Sequence, residues 1–122
     1  MNLIAGWIGI VLGCLSGAVL GLFFHRENWL GGYASWPRRM LRLGHISLIA
    51  IGLLNMAFTI TFMATAVTTP ALAPKLFAAS LAAMPAVCFL AAAWKPFQAL
   101  FPIPAFCLTA AVAITLWRLV HI

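Results

Sequence analysis

The chain has 122 residues, 66% of them hydrophobic and 7% charged, with a mean hydropathy of +1.13. A soluble domain carries about 25% charged residues, and one this short could not bury so much apolar surface in a single core. The composition therefore excludes a soluble globular protein and makes lipid the expected solvent. The net charge of +6 rests on seven Lys and Arg against one acid; with no soluble basic face to hold phosphates, nucleic acid is not an expected partner.

A stretch of about 20 apolar residues crosses the hydrocarbon core, and the sequence offers four. The first, Leu3 to Phe24, ends at His25-Arg26-Glu27-Asn28, the densest polar cluster in the chain. Its N-terminal residues lack the basic region of a signal peptide and no small-residue cleavage site follows, so it is expected to be a retained helix. The second runs from about Leu43 to Ala64 and fades into Thr65-Ala66-Val67-Thr68-Thr69-Pro70. The third is Leu76 to Trp94, closed by Lys95-Pro96 and interrupted by Pro85, which should kink it unless neighbours satisfy the freed carbonyl. The fourth is Ile103 to about Ile122, entered through Pro102 and Pro104, which suit a first helical turn. Alternating-strand signals of a β-barrel are absent.

The pattern predicts an all-α protein: one integral membrane four-helix transmembrane bundle, with helices at about 3–24, 43–64, 76–94 and 103–122 and a loop at 25–42. Arg26, Arg38, Arg39, Arg42 and Lys95 fall on one side, Lys75 and Arg118 on the other. That asymmetry predicts a cytoplasmic first loop and both termini outside, in a bacterial inner membrane. Trp29, Tyr33 and Trp36 in the loop suit the headgroup layer, with the arginines on anionic lipid; docking of a partner subunit is the alternative use of this loop.

Three features could carry function. Helix one holds Gly9, Gly13, Gly17 and Gly21 at a strict spacing of four, which stack into a groove without side chains. Such a groove admits another helix or a flat cofactor to backbone contact. On helix two, His45, Gly52, Asn55 and Thr59 fall within about 80° of one another, a polar stripe that should face the bundle interior. Asn55, near mid-membrane, is expected to hydrogen-bond to another helix. Finally, His25 ends helix one and His45 begins helix two, at the same interface. Two neutral imidazoles on adjacent helices could ligate a haem b iron, with Arg38, Arg39 and Arg42 on its propionates; two interfacial anchors are the plainer alternative. His121 lies at the opposite face and cannot join them.

Cys14, Cys88 and Cys107 sit within apolar runs and read as small buried hydrophobes. No Ser-His-Asp grouping, H-E-x-x-H or phosphate-binding loop occurs, so catalysis is not expected. The only acid, Glu27, is in the loop, which argues against proton-coupled export of cations. The expected function is a small transmembrane subunit of a larger respiratory or photosynthetic electron-transfer complex, structural or haem-binding. The alternatives are a homo-oligomeric transporter or channel using Asn55, Thr59 and Thr61, and a transient assembly or haem-handling factor.

Overall fold

A computed structural model describes all residues, 1–122. It contains helices and no strands: α1 Asn2–Phe24, α2 Trp36–Thr65, α3 Ala73–Ala93 and α4 Pro102–Val120. A short 3-10 turn, Trp29–Gly31, lies between α1 and α2, and a second, Lys95–Leu100, leads into α4. All four helices are long and apolar enough to span a membrane.

The second helix starts at Trp36, not near Leu43 where hydropathy falls off, so the first loop is shorter than the expected 25–42. Hydropathy reports the hydrocarbon boundary; helix formation does not stop there. Pro37 sits in the first turn of α2, where its missing N–H costs nothing and its fixed φ favours the helix. The arginines that follow are good helix formers. At 30 residues and 1.5 Å per residue, α2 is about 45 Å long, enough for hydrocarbon plus headgroup layers.

α2 is the central element. α1 packs on one side of it and α3 on the other, while α1 and α3 touch each other only sparingly. α4 packs on α3 and on the last turns of α2, where Phe58, Phe62, Ala73, Phe77 and Ala111 form the apolar core. The rings of Phe58, Phe62 and Phe77 lie 4.9 and 5.1 Å apart in tilted pairs, a geometry favoured by the aromatic quadrupole.

Helix hydroxyls bond back to their own carbonyls: Thr59 to Asn55, Thr65 to Thr61, Thr109 to Ala105 and Thr115 to Ala111. This is the arrangement a bilayer requires, because no water is present to take an unpaired donor. The helices remain continuous through Pro85, which is buried inside α3.

Candidate functional site

The glycine row on α1 is largely filled by α2. A side chain at Gly6 would stand 2.7 Å from the Gly52 carbonyl oxygen, and one at Gly52 would stand 2.8 Å from that of Gly6. The two backbones meet there, as a small residue on each helix allows. Further along, Gly13 faces Ile49, Gly17 faces the His45 ring, and Gly9 faces Leu48 of α2 and Leu81 of α3. Gly21 has nothing near it: the row ends in an open position, because α1 leaves α2 before its last turn.

His45 is therefore a packing residue of this seam. Its Nδ1 lies 2.7 Å from the Gly13 carbonyl and 3.4 Å from Ser16 Oγ. A carbonyl only accepts, so Nδ1 carries the proton and donates, leaving Nε2 as the basic nitrogen. His25 lies exposed just beyond the end of α1. The His45 ring rests at the level of Gly17, eight residues short of His25, an offset of about 12 Å along the helix. The fold does not bring the two imidazoles face to face across a gap, as two axial ligands of one iron must be.

The arginines have separate roles. Arg38 is 1% exposed. Its Nη2 donates to the Phe24 carbonyl at 3.1 Å, and its Nη1 reaches the carbonyls of Arg26, Glu27 and Trp29 at 3.3 to 3.5 Å. The Phe24 and Glu27 carbonyls have no backbone donor, as expected at and beyond the end of a helix, whereas those of Arg26 and Trp29 also accept from the backbone N–H groups of Trp29 and Gly32; the helix dipole here also favours a cation. The guanidinium lies 4.5 Å from the Phe24 ring centroid, and only its Nε lacks a partner. Arg42 donates to the Tyr33 carbonyl at 3.1 Å and stacks 4.0 Å over its ring. Arg39 is exposed. The residues expected to hold haem propionates thus include one whose Nη donors are spent inside the fold. Taken with the separated histidines, this arrangement does not fit a haem b held by α1 and α2 alone.

At the other end, Asn55 is fully buried and bonded across to both neighbours. Its Oδ1 accepts from Asn2 Nδ2 at 3.0 Å, and its Nδ2 donates to the carbonyls of Phe77 at 3.2 Å and Ile51 at 2.9 Å. Asn2 also donates to the Pro74 carbonyl at 2.8 Å. The pair clasps α1, α2 and α3 at one point. Asn2 escaped sequence reasoning because it stands before the apolar run; the signal was an amide facing a second amide, Asn55, at the same end of an antiparallel neighbour.

From this clasp, α1 and α3 bound a shallow apolar crevice floored by Leu48. Its walls are Ala5, Ile8, Gly9 and Leu12 on one side and Ala78, Leu81, Ala82 and Pro85 on the other, around about 370 Å³. Ala5 and Gly9 on one wall and Ala78 and Ala82 on the other bring backbone within reach of an incoming group, between the bulkier Ile8, Leu12 and Leu81. Pro85 supplies no N–H, so the Leu81 carbonyl one turn back, on the same wall, is left without its helical donor.

No family model, curated protein or solved structure matches this chain.

Proposed function

We propose that the protein is a structural transmembrane subunit of a larger assembly in a bacterial inner membrane, inserted with its first loop in the cytoplasm and both termini outside. The observation that carries this reading is the mid-membrane crevice between α1 and α3. Lipid tails exert no hydrophobic pressure on a helix, so association in the bilayer depends on close backbone approach and on polar groups seeking partners. The crevice offers both: Ala5, Gly9, Ala78 and Ala82 allow close approach, and Pro85 leaves the Leu81 carbonyl, one turn back on the same helix, without its helical donor, an acceptor that a Ser or Thr on a partner helix could satisfy. Five basic residues on the loop side against two on the other support the orientation.

Haem b forms no part of this reading, since His25 and His45 do not converge and Arg38 is committed to the chain. A transporter is less favoured because Asn55, its best pathway residue, has its oxygen and both amide hydrogens engaged. Thr59 is likewise bonded to its own helix.

Extraction of the native membrane in mild detergent tests the proposal. We expect the chain to co-migrate with distinct larger membrane subunits in fixed ratio. Recovery as a monomer or a self-oligomer only, with other complexes in the same extract intact, would overturn it.

A further inference from the structure

A second hollow lies at the end of the bundle away from the first loop, and unlike the α1–α3 crevice it is partly polar. It sits among the first turn of α1, the last turns of α2, the connection that follows and the first turn of α3, around about 240 Å³. Asn2, Thr59 and Thr69 line it, and the other lining side chains, Met1, Phe58, Phe62, Met63 and Pro74, are apolar.

The polar groups on this lining are chiefly acceptors. Asn2 is 6% exposed, and its Nδ2 is spent on Asn55 Oδ1 and the Pro74 carbonyl. A carbonyl only accepts, which fixes the orientation of the amide. Asn2 Oδ1 therefore has no partner in the chain, and it is not sealed off as Ser35 Oγ and Arg38 Nε are. It is open at the hollow that Asn2 lines. Thr59 Oγ1 gives its one hydrogen to the Asn55 carbonyl at 3.0 Å and keeps only lone pairs for anything else. Thr69 is exposed, and its hydroxyl can take either role. The end of α2 adds acceptors of its own. At the C-caps of α1, α3 and α4 a backbone N–H bonds back into the last turn. Ala66, which ends α2 in the left-handed region at φ 53°, makes no such bond.

We propose that this hollow receives the primary ammonium of a phospholipid headgroup. An ammonium carries three N–H donors and no acceptor. It complements a free amide oxygen and a hydroxyl with only lone pairs left, whereas a group that only accepts would leave both unsatisfied. The rings of Phe58 and Phe62, centred 4.9 Å apart, supply the aromatic surface that attracts a cation. An anion finds no charged side chain on the lining. Depth selects a lipid as the source: the ends of membrane-spanning helices lie at the headgroup layer, and Met63, 74% exposed, continues the apolar lining outward toward the chains. The site shares no residue with the α1–α3 crevice, so it stands or falls apart from the assembly proposed above.

Native mass spectrometry of the full chain, released from detergent with phosphatidylethanolamine or with phosphatidylcholine of identical acyl chains, tests this. The two headgroups carry the same charges and differ in whether the nitrogen has hydrogens to donate. We expect one phosphatidylethanolamine to be retained in preference to phosphatidylcholine, and in preference to phosphatidylglycerol, which offers hydroxyls without a cation. Thr59→Val keeps the side-chain shape and removes one acceptor. It should lower phosphatidylethanolamine retention on the order of fivefold, the worth of one hydrogen bond, and leave phosphatidylcholine unchanged. Asn2→Ala should abolish the preference, but it also breaks the clasp to Asn55, so Thr59→Val is the deciding variant. Retention of phosphatidylcholine or phosphatidylglycerol equal to that of phosphatidylethanolamine would overturn the proposal, as would a preference that survives Thr59→Val undiminished. Ethanolamine offered without lipid should be retained far more weakly; retention equal to that of the lipid would assign the hollow to a free amine and overturn it too.

Discussion

Arg38 illustrates how a residue's chemistry can be legible while its assignment is not. The sequence marks it as one of four loop-side arginines, all equal candidates for an anionic ligand. In the fold its guanidinium instead closes the end of α1 by serving carbonyls from Phe24 to Trp29. Hydrogen bonds to a charged group contribute about 1.5–3 kcal/mol each, so Arg38→Met should cost at least about 2–3 kcal/mol. Arg38→Lys should recover only part, because a single ammonium cannot span carbonyls that a planar fork reaches together. Reversible unfolding in mixed micelles measures both, and an Arg38→Met variant as stable as the wild type would contradict this role. The Asn2–Asn55 pair invites a double-mutant cycle with alanine. Its coupling should fall near the average of about 0.6 kcal/mol for interhelical hydrogen bonds in membranes, with about 1.7 kcal/mol as the ceiling. Zero coupling would mean that the clasp does not hold.

At the scale of elements, the four spans were readable because each is a long apolar run bounded by charge or proline, and lipid permits few other solutions. The start of α2 was not, since Arg38, Arg39 and Arg42 lower hydropathy without opposing helix; Ser35-Trp36-Pro37 was the local signal that outweighed it. The glycine row was legible as a packing face, but spacing alone could not say that α2 fills Gly6 to Gly17 and deserts Gly21. That difference yields a contrast. Gly52→Val drives a side chain into the α1 backbone and should cost about 1–3 kcal/mol through overpacking. Gly21→Ala meets open space and should be neutral or stabilising by up to about 1 kcal/mol, from helix propensity. Equal effects of the two substitutions would show that the α1–α2 seam is not the close contact described. The histidines needed more than sequence: a shared interface is set by topology, but whether two rings converge depends on where one helix leaves the other.

For the molecule as a whole, apolar surface is arranged unevenly. α2 and α3 are embedded among neighbours, whereas α1 and α4 expose most of their length, as expected of helices facing lipid or other subunits. The crevice between α1 and α3 is where these two possibilities separate, because its small-residue walls suit a helix and its depth excludes the loop-side cations. A photo-reactive amino acid placed at Ala82, in the crevice, and separately at Phe106, 74% exposed on α4, distinguishes them in the native membrane. We expect Ala82 to yield one discrete adduct with a different membrane polypeptide and Phe106 to yield lipid adducts. Lipid adducts alone at both positions, or a self-adduct at Ala82, would contradict a structural role within a larger assembly.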